Sequence, residues 1–156
     1  MLQTMRPALL FTAGIFVLVC ASGLQAVAQS GGTKSVHVYL AADKAKKPTT
    51  AFSSDVYSIY AFWQGEALAA GDKIHAIWIA EDVGDAAPKD TKILEGDAEV
   101  YKSNEDGAFS LSRPGGRIWP LGKYRVEIYI DGVLAQLVKF TITPGVTIEV
   151  PKGEGG

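Results

Sequence analysis

The chain predicts an all-β fold: an antiparallel sandwich of about seven strands, without a disulfide and preceded by a cleavable signal peptide. Three observations predict it. Trp119–Ile142 (WPLGKYRVEIYIDGVLAQLVKFTI) contains two apolar, β-branched runs that meet at Asp131-Gly132, the strongest short-range hairpin signal. Further short apolar runs recur between turn signals every ~8–12 residues, and helical periodicity never exceeds about two turns. The one cysteine, Cys20, falls inside an N-terminal apolar segment.

That segment comes first. Met1–Arg6 carries a single positive charge, and an uncharged stretch follows from Pro7 to Ala28. Ala26 and Ala28 form the small-x-small pattern of a secretory cleavage site, so residues 1–28 read as a signal peptide cut after Ala28. The run is long enough to span a bilayer, at ~20 residues, but Gly23 and the small residues near its end favour cleavage. A lipoprotein site at Cys20 fits poorly, because Val19 precedes it where a small residue is required. Cleavage after Ala28 leaves a mature chain with no thiol, and disulfides, Cys-ligated metal and cysteine catalysis are then excluded.

Residues 29–34 (QSGGTK) read as a flexible lead, 35–150 as the sandwich and 151–156 as a polar tail. Ser35–Ala41 alternates Val36, Val38 and Leu40 against His37 and Tyr39, a half-buried strand. Asp43–Thr50 is a polar loop with Pro48. Asp55–Trp63 is a nearly all-apolar strand, and Gln64–Asp72 has room for a helical turn between Gly65 and Gly71. Lys73–Ala80 is apolar on both faces, as a central strand should be. Glu81–Asp90 is a long irregular segment. Short strands follow at Thr91–Leu94, Ala98–Lys102 and Ala108–Leu111, and a last one at Val146–Val150 after the hairpin.

The hairpin allows a register argument. A two-residue Asp-Gly turn puts Tyr124, Val126, Ile128 and Ile130 on one face with Val133, Ala135 and Leu137. Continued alternation would bury Lys139 and expose Phe140 and Ile142, wasting ~1.5–3 kcal/mol for each apolar side chain. One extra residue restores the phase, which predicts a β-bulge at Val138-Lys139.

Trp119-Pro120-x-Gly122-x-Tyr124, then a strand, Asp131-Gly132 and a strand ending Phe140-x-Ile142, resembles the C-terminal part of immunoglobulin-like or fibronectin-III-like domains of secreted bacterial proteins. The resemblance implies a tyrosine corner, with Tyr124 anchoring the preceding turn through its hydroxyl, and a buried core tryptophan, here Trp78. It covers about 24 of the 128 mature residues and implies the disulfide-free branch, because the two antibody-type cysteines are missing. Such domains bind proteins, space other domains or pack in assemblies.

Charge and motif content narrow the function classes. Removing residues 1–28 removes only Arg6, leaving 14 basic and 17 acidic side chains, a net charge of −3. No basic patch interleaved with aromatics points to nucleic acid, and no basic amphipathic helix points to a membrane surface. His37 and His75 each lack a second ligand at i+2 or i+4, so neither marks a zinc site. No Gly-x-Ser-x-Gly is present. The acids Glu81, Asp82, Asp85 and Asp90, with Asp97, suit Ca²⁺ by ligand type but lack the spacing of a calcium loop. No cofactor is implied.

The reading is therefore an exported, non-catalytic binding or assembly module with a protein partner, contacted through its sheet edges. The alternative is a carbohydrate-binding sandwich using exposed aromatics, with Trp63 and Tyr129 expected outside and the remaining aromatics mostly in the core.

Overall fold

The computed structural model describes residues 32–145. The signal peptide with Cys20, the strand expected at Val146–Val150 and the tail lie outside the described residues. The strands are β1 (Ser35–Ala41), β2 (Ala51–Ser53), β3 (Ser58–Glu66), β4 (Lys73–Asp82), β5 (Thr91–Glu99), β6 (Asp106–Ser112), β7 (Gly122–Ile130) and β8 (Val133–Thr143). They form two sheets in the orders β1-β3-β6 and β2-β8-β7-β4-β5. All pairs are antiparallel except β2 with β8, which is parallel. The chain crosses between sheets after β1, β2, β3, β5 and β6, which makes the fold an immunoglobulin-like sandwich.

Alternation along the strands builds the interior. Val36, Val38 and Leu40 of β1 face Ile59 and Ala61 of β3, and these meet Ile74, Ala76 and Trp78 of β4 and Val126 and Ile128 of β7. The central aromatic cluster is Phe140, edge-on to Phe52 at 5.7 Å and to Trp78 at 6.0 Å and stacked on Tyr124 at 5.3 Å. Burial of Phe52 is what holds the three-residue strand β2, too short to be read from the sequence as a strand.

Several expectations are corrected. Thr91–Leu94 and Ala98–Lys102 are not two strands separated at Gly96-Asp97; the ten-residue strand β4 templates one continuous β5, with Gly96 opposite Ala76. Gln64–Asp72 holds no helical turn, because β3 runs on to Glu66 in register with Ser35. The hairpin turn has φ of 49° at Asp131 and 82° at Gly132, positive at both central residues as a type I′ turn requires. Its bulge lies at Ala135 rather than at Val138-Lys139: Ile128 pairs with Gln136 and Tyr129 with Leu134. The phase change comes early enough to bury Phe140 and Ile142 and turns Leu137 outward. It also aims Gln136 at the free edge of β1. The Val38 N–H donates to Gln136 Oε1 at 2.8 Å, and Gln136 Nε2 donates to the Val38 carbonyl at 3.3 Å. One side chain thus satisfies an edge that backbone pairing leaves open.

Lys34 is fixed in place. Its Nζ donates to Asp72 Oδ1 at 2.7 Å and to Asp131 Oδ2 at 2.8 Å, tying the entry of the domain to the hairpin turn. Hydrogen bonds from Lys34, with backbone N–H groups behind them, hold both carboxyls below the ordinary carboxylate range. A depressed carboxylate pKa contributes stability that is present above the unfolded value, about 3.9, and is lost as pH falls through the folded value. The unfolding temperature should therefore drop between about pH 5 and pH 2.5 by more in the wild type than in Lys34→Met. Parallel pH profiles by circular dichroism check this; equal drops would mean that Lys34 contributes nothing to acid stability.

Candidate functional site: an open sheet edge beside an apolar groove

The two sides of the sandwich differ. On one, Gln136 bridges β8 to β1. On the other, among the described residues, no strand pairs with the outer edge of β5 or of β6. Between them lies an apolar groove of about 440 Å³, floored by Leu111, Trp119 and Tyr124 and rimmed by Ile93, Leu94 and Ile118. The rim is strongly solvent-accessible, with Leu94 at 45% and Ile118 at 66% exposure.

Local chemistry builds this shape. β5 slips register between Trp78 and Ile79 of its partner, so Ile93 is an extra, unpaired residue, and Lys92 and Thr91 resume pairing with Ile79 and Ala80 beyond it. On the other side of the bulge, Glu95–Glu99 pairs regularly with β4, and among the described residues no strand pairs with its outer edge. Behind the groove, the Trp119 N–H donates to the Ser54 carbonyl and its indole Nε1 to the Val56 carbonyl, both at 2.8 Å. Tyr124 donates its hydroxyl to the Pro120 carbonyl at 2.7 Å, and burial pushes the phenol up to about 12. Pro120 itself is exposed while its carbonyl serves as the acceptor. The floor is thus preorganised by three hydrogen bonds across the end of the sandwich.

The outer face of the larger sheet carries ion pairs. Arg125 bridges Asp90 and Glu127, the latter at 2.8 Å, and Tyr129 donates to Glu127 at 2.7 Å. The hydrogen bonds from Arg125 and Tyr129 hold the Glu127 carboxyl low. His75 Nδ1 lies 2.8 Å from Asp97.

The candidate calcium ligands do not come together. Glu81 pairs with Lys139 at 2.7 Å, Asp82 with Lys89 at 3.1 Å, Asp90 with Arg125 and Asp97 with His75, while Asp85 lies in a short 3-10 turn, Gly84–Ala86. Glu81, Asp82 and Asp90 each pair with a different cation and Asp97 with the His75 ring, so the acids do not converge, and among the described residues no cluster of three metal-ligating side chains forms. Sequence proximity in an irregular loop was misleading because the partners of Glu81, Asp90 and Asp97 come from strands distant in sequence or across the sheet.

Trp63 is corrected as well: it is 3% exposed, not a surface platform. It shares the inward phase of Ile59 and Ala61 and lies on Gly107, where an added Cβ would approach its ring to 2.3 Å. The apolar run gave alternation nothing to discriminate, since outward Tyr60 and Phe62 are aromatic too. Tyr129 does face outward, half-buried, with its hydroxyl held by Glu127. The groove itself was missed; the one signal in the sequence was the pair Ile93-Leu94 next to a run of charges.

No family model matches the chain, and no curated protein matches it in sequence. Among solved structures it is similar to an immunoglobulin-like protein of Pseudomonas aeruginosa, at 9% identity and a TM-score of 0.46, over 72% of this chain and 93% of that one. It is also similar to a mutant (D270A) beta-glucosidase of Listeria innocua in complex with laminaribiose, at 10% identity and a TM-score of 0.48, over 74% of this chain and 17% of that one. A third is the alkylpurine DNA glycosylase AlkC of Pseudomonas fluorescens, at 10% identity and a TM-score of 0.44, over 70% of this chain and 30% of that one. The chain spans less than a third of the length of the glucosidase and of the glycosylase.

Proposed function

We propose that this chain is an exported, non-catalytic accessory module that receives an extended segment of a protein partner along β5. The observation that carries this is the unpaired Glu95–Glu99 edge beside the groove rimmed by Leu94 and Ile118. An added strand finds free backbone donors and acceptors on β5, and its alternate side chains enter the groove, so affinity and selectivity come from different atoms. Export rests on the signal-peptide pattern ending at Ala28. The expected occupant is a different chain rather than a second copy. Two β5 edges paired with each other would bring together two outward rows of Glu95, Asp97 and Glu99, and like charges across a sheet are destabilising.

The test is capture of envelope and secreted proteins with tagged mature protein, alongside Leu94→Arg. Leu94 is an exposed rim residue, so the variant should keep its stability to within about 0.5 kcal/mol, while recovery of a discrete partner falls about tenfold or more. On binding, amide exchange should slow at Glu95–Glu99. A partner retained by Leu94→Arg, or protection elsewhere with β5 unchanged, would overturn the assignment.

A further inference from the structure

The outer face of the smaller sheet carries a second feature, remote from the groove. Tyr39 of β1 and Tyr60 and Phe62 of β3 form a continuous row of nearly parallel rings, with centroids 5.5 Å apart from Tyr39 to Phe62 and 5.8 Å from Phe62 to Tyr60. Phe62, in the middle of the row, is buried, while Tyr39 and Tyr60 on either side of it are half-buried and reach solvent. On β6 the neighbours are Ala108 beside Phe62 and Ser110 beside Tyr60. Ala108 and Gly107 leave a concavity of about 250 Å³ at the Tyr39–Phe62 end of the row. Gln64 and Asp106 stand at one end of it, both exposed. Over Phe62, at 5.0 Å from the ring centroid, lies the ammonium of Lys46, from the loop Ala42–Thr50 that also carries Lys44 and Lys47. Among the described residues no ion pair involves these three lysines.

We infer that this face is a binding site for an acidic saccharide, a polyol ring bearing a carboxylate. The accessible parts of the Tyr39 and Tyr60 rings take the apolar face of a pyranose, as aromatic side chains take other ring systems. The lysine loop supplies charge for a carboxylate at one edge of that ring, where Lys46 already lies against the aromatic row. Gln64 and Asp106 offer acceptors for hydroxyl donors at the other. The arrangement argues against a phosphodiester strand, which needs cations tracking its backbone. Here the cations sit on one loop, and a carboxylate faces them across the concavity.

Calorimetric titration of the full chain uses three probes: a galacturonic acid oligomer, the matching neutral galactose oligomer, and a single-stranded oligonucleotide of equal charge. The galacturonate oligomer should bind, and raising the salt should weaken it. Lys46→Gln lies on an exposed loop and Ala108→Glu on an exposed edge position, so neither threatens the fold. Each should cost about tenfold in affinity, the second by placing a carboxylate in the concavity. Tyr60→Ala should abolish binding, provided its circular dichroism is unchanged. Equal binding of the neutral oligomer overturns the acidic part of the assignment, and equal or tighter binding of the oligonucleotide overturns the saccharide. Absence of saccharide binding, or affinity unmoved by both Lys46→Gln and Ala108→Glu, overturns the site.

Discussion

Gly122→Ala is expected to lower the unfolding midpoint by roughly 10 °C or more, a loss of about 3 kcal/mol. Gly122 opens β7 with φ of 148°, where the end of β4 folds across it. The β4–β7 register slips between Ala80 and Asp82, so the Asp82 carbonyl sits over the glycine. A Cβ there would come 2.2 Å from that oxygen and 2.9 Å from the Val83 Cα, both backbone atoms that no rotamer change can move aside. Gly132→Ala provides the contrast. Its φ of 82° is also unfavourable for a side chain, but nothing lies within 4 Å, so the cost is backbone strain alone, about 1 kcal/mol. Thermal unfolding of the two variants separates collision from strain. A Gly122→Ala midpoint close to that of Gly132→Ala would show that the β4 end yields easily.

Gly122 was legible in the sequence as part of a turn, but not as a close approach, and that difference marks what local pattern can and cannot reach. Trp119, Pro120, Tyr124, Asp131 and Gly132 act over a few residues: a turn needs positive φ at Gly132, and the Tyr124 hydroxyl reaches back only to Pro120. Period-two alternation likewise predicted the core faces of β1 and β7. What escaped depends on which strands become neighbours. Gly96-Asp97 looks like a turn until β4 pairs with it, and Trp63 looks exposed until Gly107 is placed beside it. The bulge was demanded by the phase of Phe140, but its position goes with a contact local pattern does not reach, that of Gln136 with Val38 of β1, 98 positions away. The acidic loop looked like one cluster because its true partners, Lys139 and Arg125, lie more than 30 positions away along the chain. The groove arises where two edges stay unpaired, which is a property of the strand order and of no single segment.

Trp78→Ala should be the more damaging of the two substitutions, at about 3–5 kcal/mol. Trp78 is 1% exposed at the centre of β4, with β5 on one side and β7 on the other. Its loss leaves an indole-sized void that two flanking strands cannot close without breaking their ladders, so transfer and cavity costs add. It also removes the edge-on partner of Phe140, worth about 0.5–1.5 kcal/mol beyond its area. Phe140 in turn holds Phe52, the only residue of β2 that is buried. The damage should therefore spread in a defined direction, with β2 releasing from β8 at denaturant concentrations where β4 and β7 remain protected. Trp78→Phe keeps an aromatic edge toward Phe140 and should recover roughly half of the loss. Urea unfolding gives the magnitude and amide exchange at Ala51–Ser53 gives the route. A loss below about 1 kcal/mol, or β2 exchange unchanged in the alanine variant, would mean that the cluster around Phe140 closes over the missing indole without it.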